Sequence, residues 1–102
     1  NYYFEYMERL TAQGSWVESG LLKKDNTRYY FYGVIGDYLI LPKDRLMDYY
    51  RRIVLENDPP AGCRKAEALR GTSKGFLLPR AEAVKINLPI AQVAQALCSQ
   101  TS

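Results

Sequence analysis

The spacing of apolar positions along the 102 residues changes several times, and each change predicts a new element. In the opening "NYYFEYMERLTAQG", Tyr3, Tyr6, Met7 and Leu10 fall at i, i+3, i+4 and i+7. That spacing predicts a short helix, with Asn1 placed to cap it and Gly14 to close it. Three of the first four residues are aromatic, more than one core face needs, so Tyr2 or Phe4 is expected to meet a second surface.

The next stretch, "SWVESGLLKKDNTRYYFYGVIGDYLILP", reads as a three-stranded antiparallel meander over about 16–22, 27–34 and 37–41. Asp25 and Asn26 supply the first turn and Gly36 the second. Alternation puts Tyr30 and Tyr32 on one face and Tyr29 and Phe31 on the other. Both faces are partly apolar, so this strand is expected to be the central one.

"PKDRLMDYYRRIVLEN" is the clearest helix. Pro42 suits the first turn, Asp44 complements the dipole, and Leu46, Tyr49, Tyr50, Ile53 and Val54 make the apolar stripe. Arg52 can pair with Asp48 or Glu56 on the opposite face. Two prolines and Gly62 then break the pattern, although "CRKAEALR" has room for one or two helical turns. A strand "GFLLP" follows, and "AEAVKINL" fits helix or strand. The final "LPIAQVAQALCSQ" reads as a helix with Ile90, Val93, Ala94 and Leu97 at helical spacing. Trp16, Phe31, Leu39, Leu41, Leu46, Tyr50, Ile53, Leu77 and Val93 are the expected core.

One phrase recurs. "DYLILPKDRL" and "GFLLPRAEAV" both run three apolar residues into a proline, then a basic residue, then a helix-like segment. Proline offers no ladder donor and presets a helical φ, so it stops a strand and starts a helix. Two strand-to-helix corners explain the echo without a duplicated unit. The alternative gives it a function, with Lys43 and Arg80 marking one basic edge.

The elements together predict an α+β domain: a small antiparallel sheet of three to four strands packed against two to four helices. The length suits a single domain over 1–102, and the missing initiator methionine leaves open a preceding partner domain. An apolar share of 47% supports a folded core. No apolar run approaches the roughly 20 residues that a membrane span requires. Cys63 and Cys98 lie in no metal-like spacing; they could bridge if the fold joins them, but scattered thiols equally suit a reducing cytoplasm.

Charge changes the picture most. Residues 1–61 carry a net −1, whereas 62–102 carry +4. Arg64, Lys65, Arg70, Lys74 and Arg80 fall within 64–80 against the single acid Glu67. With Lys43 and Arg28 in support, they are the candidate contacts to a nucleic-acid backbone. The "GTSKG" loop at 71–75 offers a lysine and amides but lacks the spacing of a nucleotide-binding loop. Nine tyrosines fit a surface that is both apolar and wet, or a core with hydroxyls reaching water.

Histidine is absent, which removes the usual general base and metal ligand and argues against an enzyme. No catalytic residue, metal ligand or cofactor is assigned. The leading expectation is a non-catalytic, cytoplasmic nucleic-acid-binding module. The alternative is a protein-interaction or assembly module, pairing with itself or another protein. It would use Tyr2 and Phe4 of the aromatic amino terminus and Ile90, Val93 and Leu97 of the uncharged last helix. A metal-dependent nuclease, or part of one, comes third and would need Glu18 and Asp37 to face each other across the sheet.

Overall fold

A computed structural model describes residues 1–34, 36–68 and 70–101, with the side chains of Gln100 and Thr101 not described. Six strands and three helices follow in the order β1 (Tyr2–Glu8), β2 (Val17–Glu18), β3 (Tyr29–Val34), β4 (Asp37–Pro42), α1 (Lys43–Tyr50), β5 (Arg64–Glu67), β6 (Ser73–Leu78), α2 (Arg80–Ile86) and α3 (Ile90–Thr101). The strands form a four-stranded antiparallel sheet, ordered β2-β1-β6-β5, and a separate two-stranded ribbon of β3 and β4. The chain is thus an α+β fold.

The amino-terminal segment is a strand, not the helix its spacing predicts. Phe4 and Tyr6 are buried while Tyr3 and Glu5 stay half-buried on the other face, the alternation of an aromatic-rich strand. Leu10, counted as the last rung of the helical stripe, is 99% exposed. The three-stranded meander is corrected too. Only Val17 and Glu18 of its first strand pair, and they pair with β1. Gly20–Leu22 is a 3-10 turn whose Gly20 takes φ +49°; a Cβ there would lie 2.1 Å from the Glu5 carbonyl oxygen. β3 therefore has one ladder partner and is no central strand. Between β3 and β4, Ile35 lies outside the described residues, and Gly36 turns at φ +87°. "CRKAEALR" contributes strand β5, not helical turns, with Leu69 outside the described residues.

Both proline corners form as the repeated phrase suggests. Pro42 (φ −71°, ψ 136°) ends β4 and precedes α1; Pro79 (φ −68°, ψ 154°) follows β6 and precedes α2. Neither helix has a side-chain cap, so the fixed proline φ sets the turn. α1 continues through Arg51–Leu55 as a π-wound segment that keeps Ile53 buried. "AEAVKINL", ambiguous by pattern, is helical through Ile86.

The central core unites Phe4, Tyr6, Leu21, Leu39, Leu41, Leu46, Ile53, Cys63, Phe76, Leu78 and Ala83. Phe4 stacks on Phe76 at 5.5 Å within the large sheet and meets Tyr32 of the ribbon at 5.0 Å, joining the two sheets. Of the expected core, Leu39, Leu41, Leu46, Ile53 and Val93 are buried, and Trp16, Tyr50 and Leu77 are half-buried. Phe31 is 61% exposed because it lies on the ribbon face opposite the central core. Most tyrosines are half-buried, and some of their hydroxyls bond protein groups. Tyr3 bonds Ser73 at 2.7 Å, and Tyr49 donates to Glu82 at 2.7 Å. Cys63 is a buried thiol, held above its ordinary pKa by burial, while Cys98 lies exposed on α3.

Replacing Leu46 or Ile53 with alanine should lower stability by about 2–5 kcal/mol, read by urea denaturation. Electrostatics gives a second expectation. The hydrogen bond from Tyr49, with help from Lys85, holds Glu82 below the usual carboxylate pKa. Glu82 therefore adds stability that is present above its unfolded pKa, about 4.3, and lost as pH falls through the lower folded value. Glu82→Gln should flatten the stability profile between about pH 5 and pH 3. An unchanged acid limb would contradict the coupling.

Candidate nucleic-acid interface

The β5–β6 hairpin positions most of the predicted cations. Its register sets Arg64 against Leu77, Lys65 against Phe76 and Glu67 against Lys74. Alternation then puts Lys65 and Lys74 on the Phe76 side of the hairpin and Arg64 on the other, with exposed Arg70 in the connecting turn. An open hollow of about 450 Å³ lies beside them, lined by Tyr6, Val54, Lys65, Ala66, Glu67 and Lys74.

Two residues that sequence reasoning missed complete the patch. The Arg9 guanidinium carbon sits 4.1 Å from the Trp16 ring centroid, and the Lys74 ammonium sits 4.4 Å from it. Both distances are within cation–π range. Arg9 is fixed further by its Nε, which donates to the Gly71 carbonyl at 2.7 Å, and by its amide, which donates to the Thr72 carbonyl at 3.0 Å. The "YYFEYME" alternation was the available signal. Once it is read as a strand, Arg9 continues β1 beside β6 instead of lying on a helix.

Among the described residues, no carboxylate comes within the 4 Å ion-pair range of Arg9, Arg64, Lys65, Arg70 or Lys74; the ion pairs lie elsewhere. Glu67 and Glu8 lie on the same strands, facing Lys74 and Ser73, and moderate the local potential. Arg80 does not join the patch. It stands at the far end of β6, about 20 Å from Lys74 by strand rise. There it donates to Tyr2 Oη at 2.9 Å and pairs with Asp37 at 3.3 Å. Lys43 pairs with Asp25 at 3.7 Å and lines a separate hollow of about 440 Å³ with Arg28 and Asp44. Lys43 and Arg80 thus cap two corners on different sheets.

The "GTSKG" segment uses its backbone structurally. Gly71 turns at φ +68° with its amide bonded to the Ala68 carbonyl, and Ser73 onward belongs to β6. Gly75 instead makes room for Tyr3, whose ring would come within 2.5 Å of a Cβ there.

The two interface groups also separate. Phe4 is buried in the central core, and Tyr2 packs edge-on against Tyr32 at 5.6 Å, so the amino terminus is not a free aromatic surface. Val93 is 3% exposed within its own chain, while Ile90 and Leu97 remain exposed. Glu18 and Asp37 lie on different sheets and do not face each other across one ladder. Among the described residues no group of three or more His, Cys, Asp or Glu side chains could hold a metal ion, and no helix is long and apolar enough to cross a membrane.

Comparisons of the chain with family models, curated proteins and solved structures give no match. The chemistry of the hairpin is therefore read from its own residues.

If the two cations are held by the indole, Trp16→Leu should lower stability by about 1–2 kcal/mol and raise the mobility of the Arg9 side chain. Chemical denaturation and ¹⁵Nε relaxation check this, and an unchanged Arg9 signal would contradict it.

Proposed function

We propose that the chain is a non-catalytic nucleic-acid-binding module whose contact surface is the β5–β6 hairpin with the neighbouring Arg9 and Trp16. The observation that carries this reading is the set of five cations, Arg9, Arg64, Lys65, Arg70 and Lys74, none in an ion pair with a carboxylate among the described residues. A cation already paired must break that pair to meet a phosphate; these need not. Trp16 adds pre-organisation, because it restricts Arg9 and Lys74 before any ligand arrives and so lowers the entropy lost on contact.

The mechanism is phosphate neutralisation and counterion release, with Trp16 as an aromatic neighbour. Arg64 and the Lys65/Lys74 pair lie on opposite faces of the hairpin, which suits a backbone crossing β5, the edge strand of the sheet, better than a base-reading helix in a groove. The same reading puts the module in the cytoplasm, where Cys63 stays reduced. An assembly role is the second reading, favoured by the apolar exposure of Phe31, Val34, Ile90 and Leu97.

Binding of a mixed-sequence oligonucleotide should weaken linearly in log affinity against log salt. Arg64→Ala with Arg70→Ala should weaken binding evenly across sequences and flatten the slope by about 1.4–1.8. Melting should stay nearly unchanged, because both residues are exposed and in no ion pair among the described residues. Arg51→Ala, which alters an ion-paired residue on the helix side, should leave the slope as it was. No binding at low salt, or a slope indifferent to the double change, would remove the reading.

A further inference from the structure

Ile40 fixes the direction in which the β3 backbone points. Its amide donates to Asn87 Oδ1 at 2.8 Å, and its carbonyl accepts from the Leu88 amide at 2.9 Å. Both groups therefore point away from β3. Phe31 is the ladder partner of Ile40, and facing residues of an antiparallel pair direct their backbone groups either both inward or both outward. The N–H and C=O of Phe31 thus project from the outer edge of β3. Alternation puts those of Tyr29 and Gly33 there as well. Pro42, which has no N–H to give, stands opposite Tyr29 in agreement. Among the described residues no strand meets this edge.

Exposed edges in natural sheets are usually blunted by charge, proline or a bulge. The span Tyr29–Val34 has no charge and no proline, and its register against β4 is unbroken. Phe31 is 61% and Val34 70% exposed. α3 lies over the outer face of the ribbon, where Ile40 and Val93 are buried outside the central core. Ile90 lines one hollow there with Phe31, Val34 and Tyr38, and Leu97 lines another with Tyr29 and Phe31.

We propose that the outer edge of β3 pairs antiparallel with β3 of a second copy about a two-fold axis at Phe31, joining two ribbons into one sheet ordered β4-β3-β3-β4. That axis sets Phe31 against Phe31 and Tyr29 against Gly33, so each outward backbone group meets its complement. Charge selects the same arrangement. Arg28, in no ion pair among the described residues, precedes β3, and Asp37, which meets Arg80 through Oδ1 at 3.3 Å but stays 73% exposed, begins β4 at the opposite end of the ribbon. The two-fold sets Arg28 against Val34 of the second copy, whose own ladder partner is Asp37. Each copy's Arg28 then meets the other's Asp37 carboxylate, whereas a parallel pairing would set Arg28 against Arg28 and Asp37 against Asp37. This inference is independent of the nucleic-acid reading.

Sedimentation equilibrium of the whole chain, with amide hydrogen exchange on the same sample, tests it. The chain should approach twice its 11.7 kDa mass as concentration rises, and the Phe31 amide should become protected in step. Phe31→Pro removes an outward donor without touching the β4 ladder, and should give a folded monomer by sedimentation and circular dichroism. Arg28→Glu and Asp37→Arg should each weaken self-association roughly fivefold at low salt, and the two together should restore it. This exchange also decides the matter if Phe31→Pro fails to fold. A wild-type chain that stays at 11.7 kDa throughout, a folded Phe31→Pro dimer, or charge variants indistinguishable from wild type would overturn the proposal.

Discussion

The fold depends on one aromatic contact. Phe4 stacks on Phe76 inside the four-stranded sheet and tilts against Tyr32 of the ribbon, so this buried ring, with Tyr2 edge-on to Tyr32 beside it, joins two sheets that share no ladder. Tyr6 extends the contact by meeting Tyr50 at 5.2 Å, which brings α1 onto the same sheet. Backbone pairing organises each sheet; side-chain contacts join them. The radius of gyration of 14.8 Å exceeds the about 13 Å of a compact chain this long, as expected when ribbon and α3 extend from the shared core.

The parts legible in the sequence are those where local chemistry decides. Pro42 and Pro79 restrict their own φ wherever they lie, so both strand-to-helix corners could be read without tertiary information. The stripe through Leu46 and Ile53 is long enough for one period to dominate. The amino terminus shows the opposite case. Tyr3, Tyr6 and Met7 satisfy a helical spacing, while Phe4 and Tyr6 satisfy a strand spacing, and the pairing of β1 between β2 and β6 chose the second. The ladder that decides it comes from residues about 70 positions later in the chain. Phe31 was misjudged for the same reason, because its exposure follows from which sheet β3 joins.

The charge pattern was legible as a segment but not as a surface. Counting placed Arg64, Lys65, Arg70, Lys74 and Arg80 together, and strand geometry removed Arg80 to the opposite end. It brought in Arg9, more than 60 residues from Lys74 in the chain, because β1 and β6 are neighbours. Trp16 then fixes what would otherwise be two floppy cations. Lys43 and Arg80 are committed to Asp25 and Asp37 and serve the fold's corners.

Amide chemical-shift mapping with a short mixed-sequence single strand at low salt is the most direct measurement. If the hairpin is the contact surface, shifts should cluster on Arg9, Arg64, Lys65, Arg70 and Lys74 and on the Trp16 indole N–H, leaving Arg28, Lys43 and Arg80 unmoved. Shifts centred on the Arg28–Lys43 corner, or none that saturate, would contradict it.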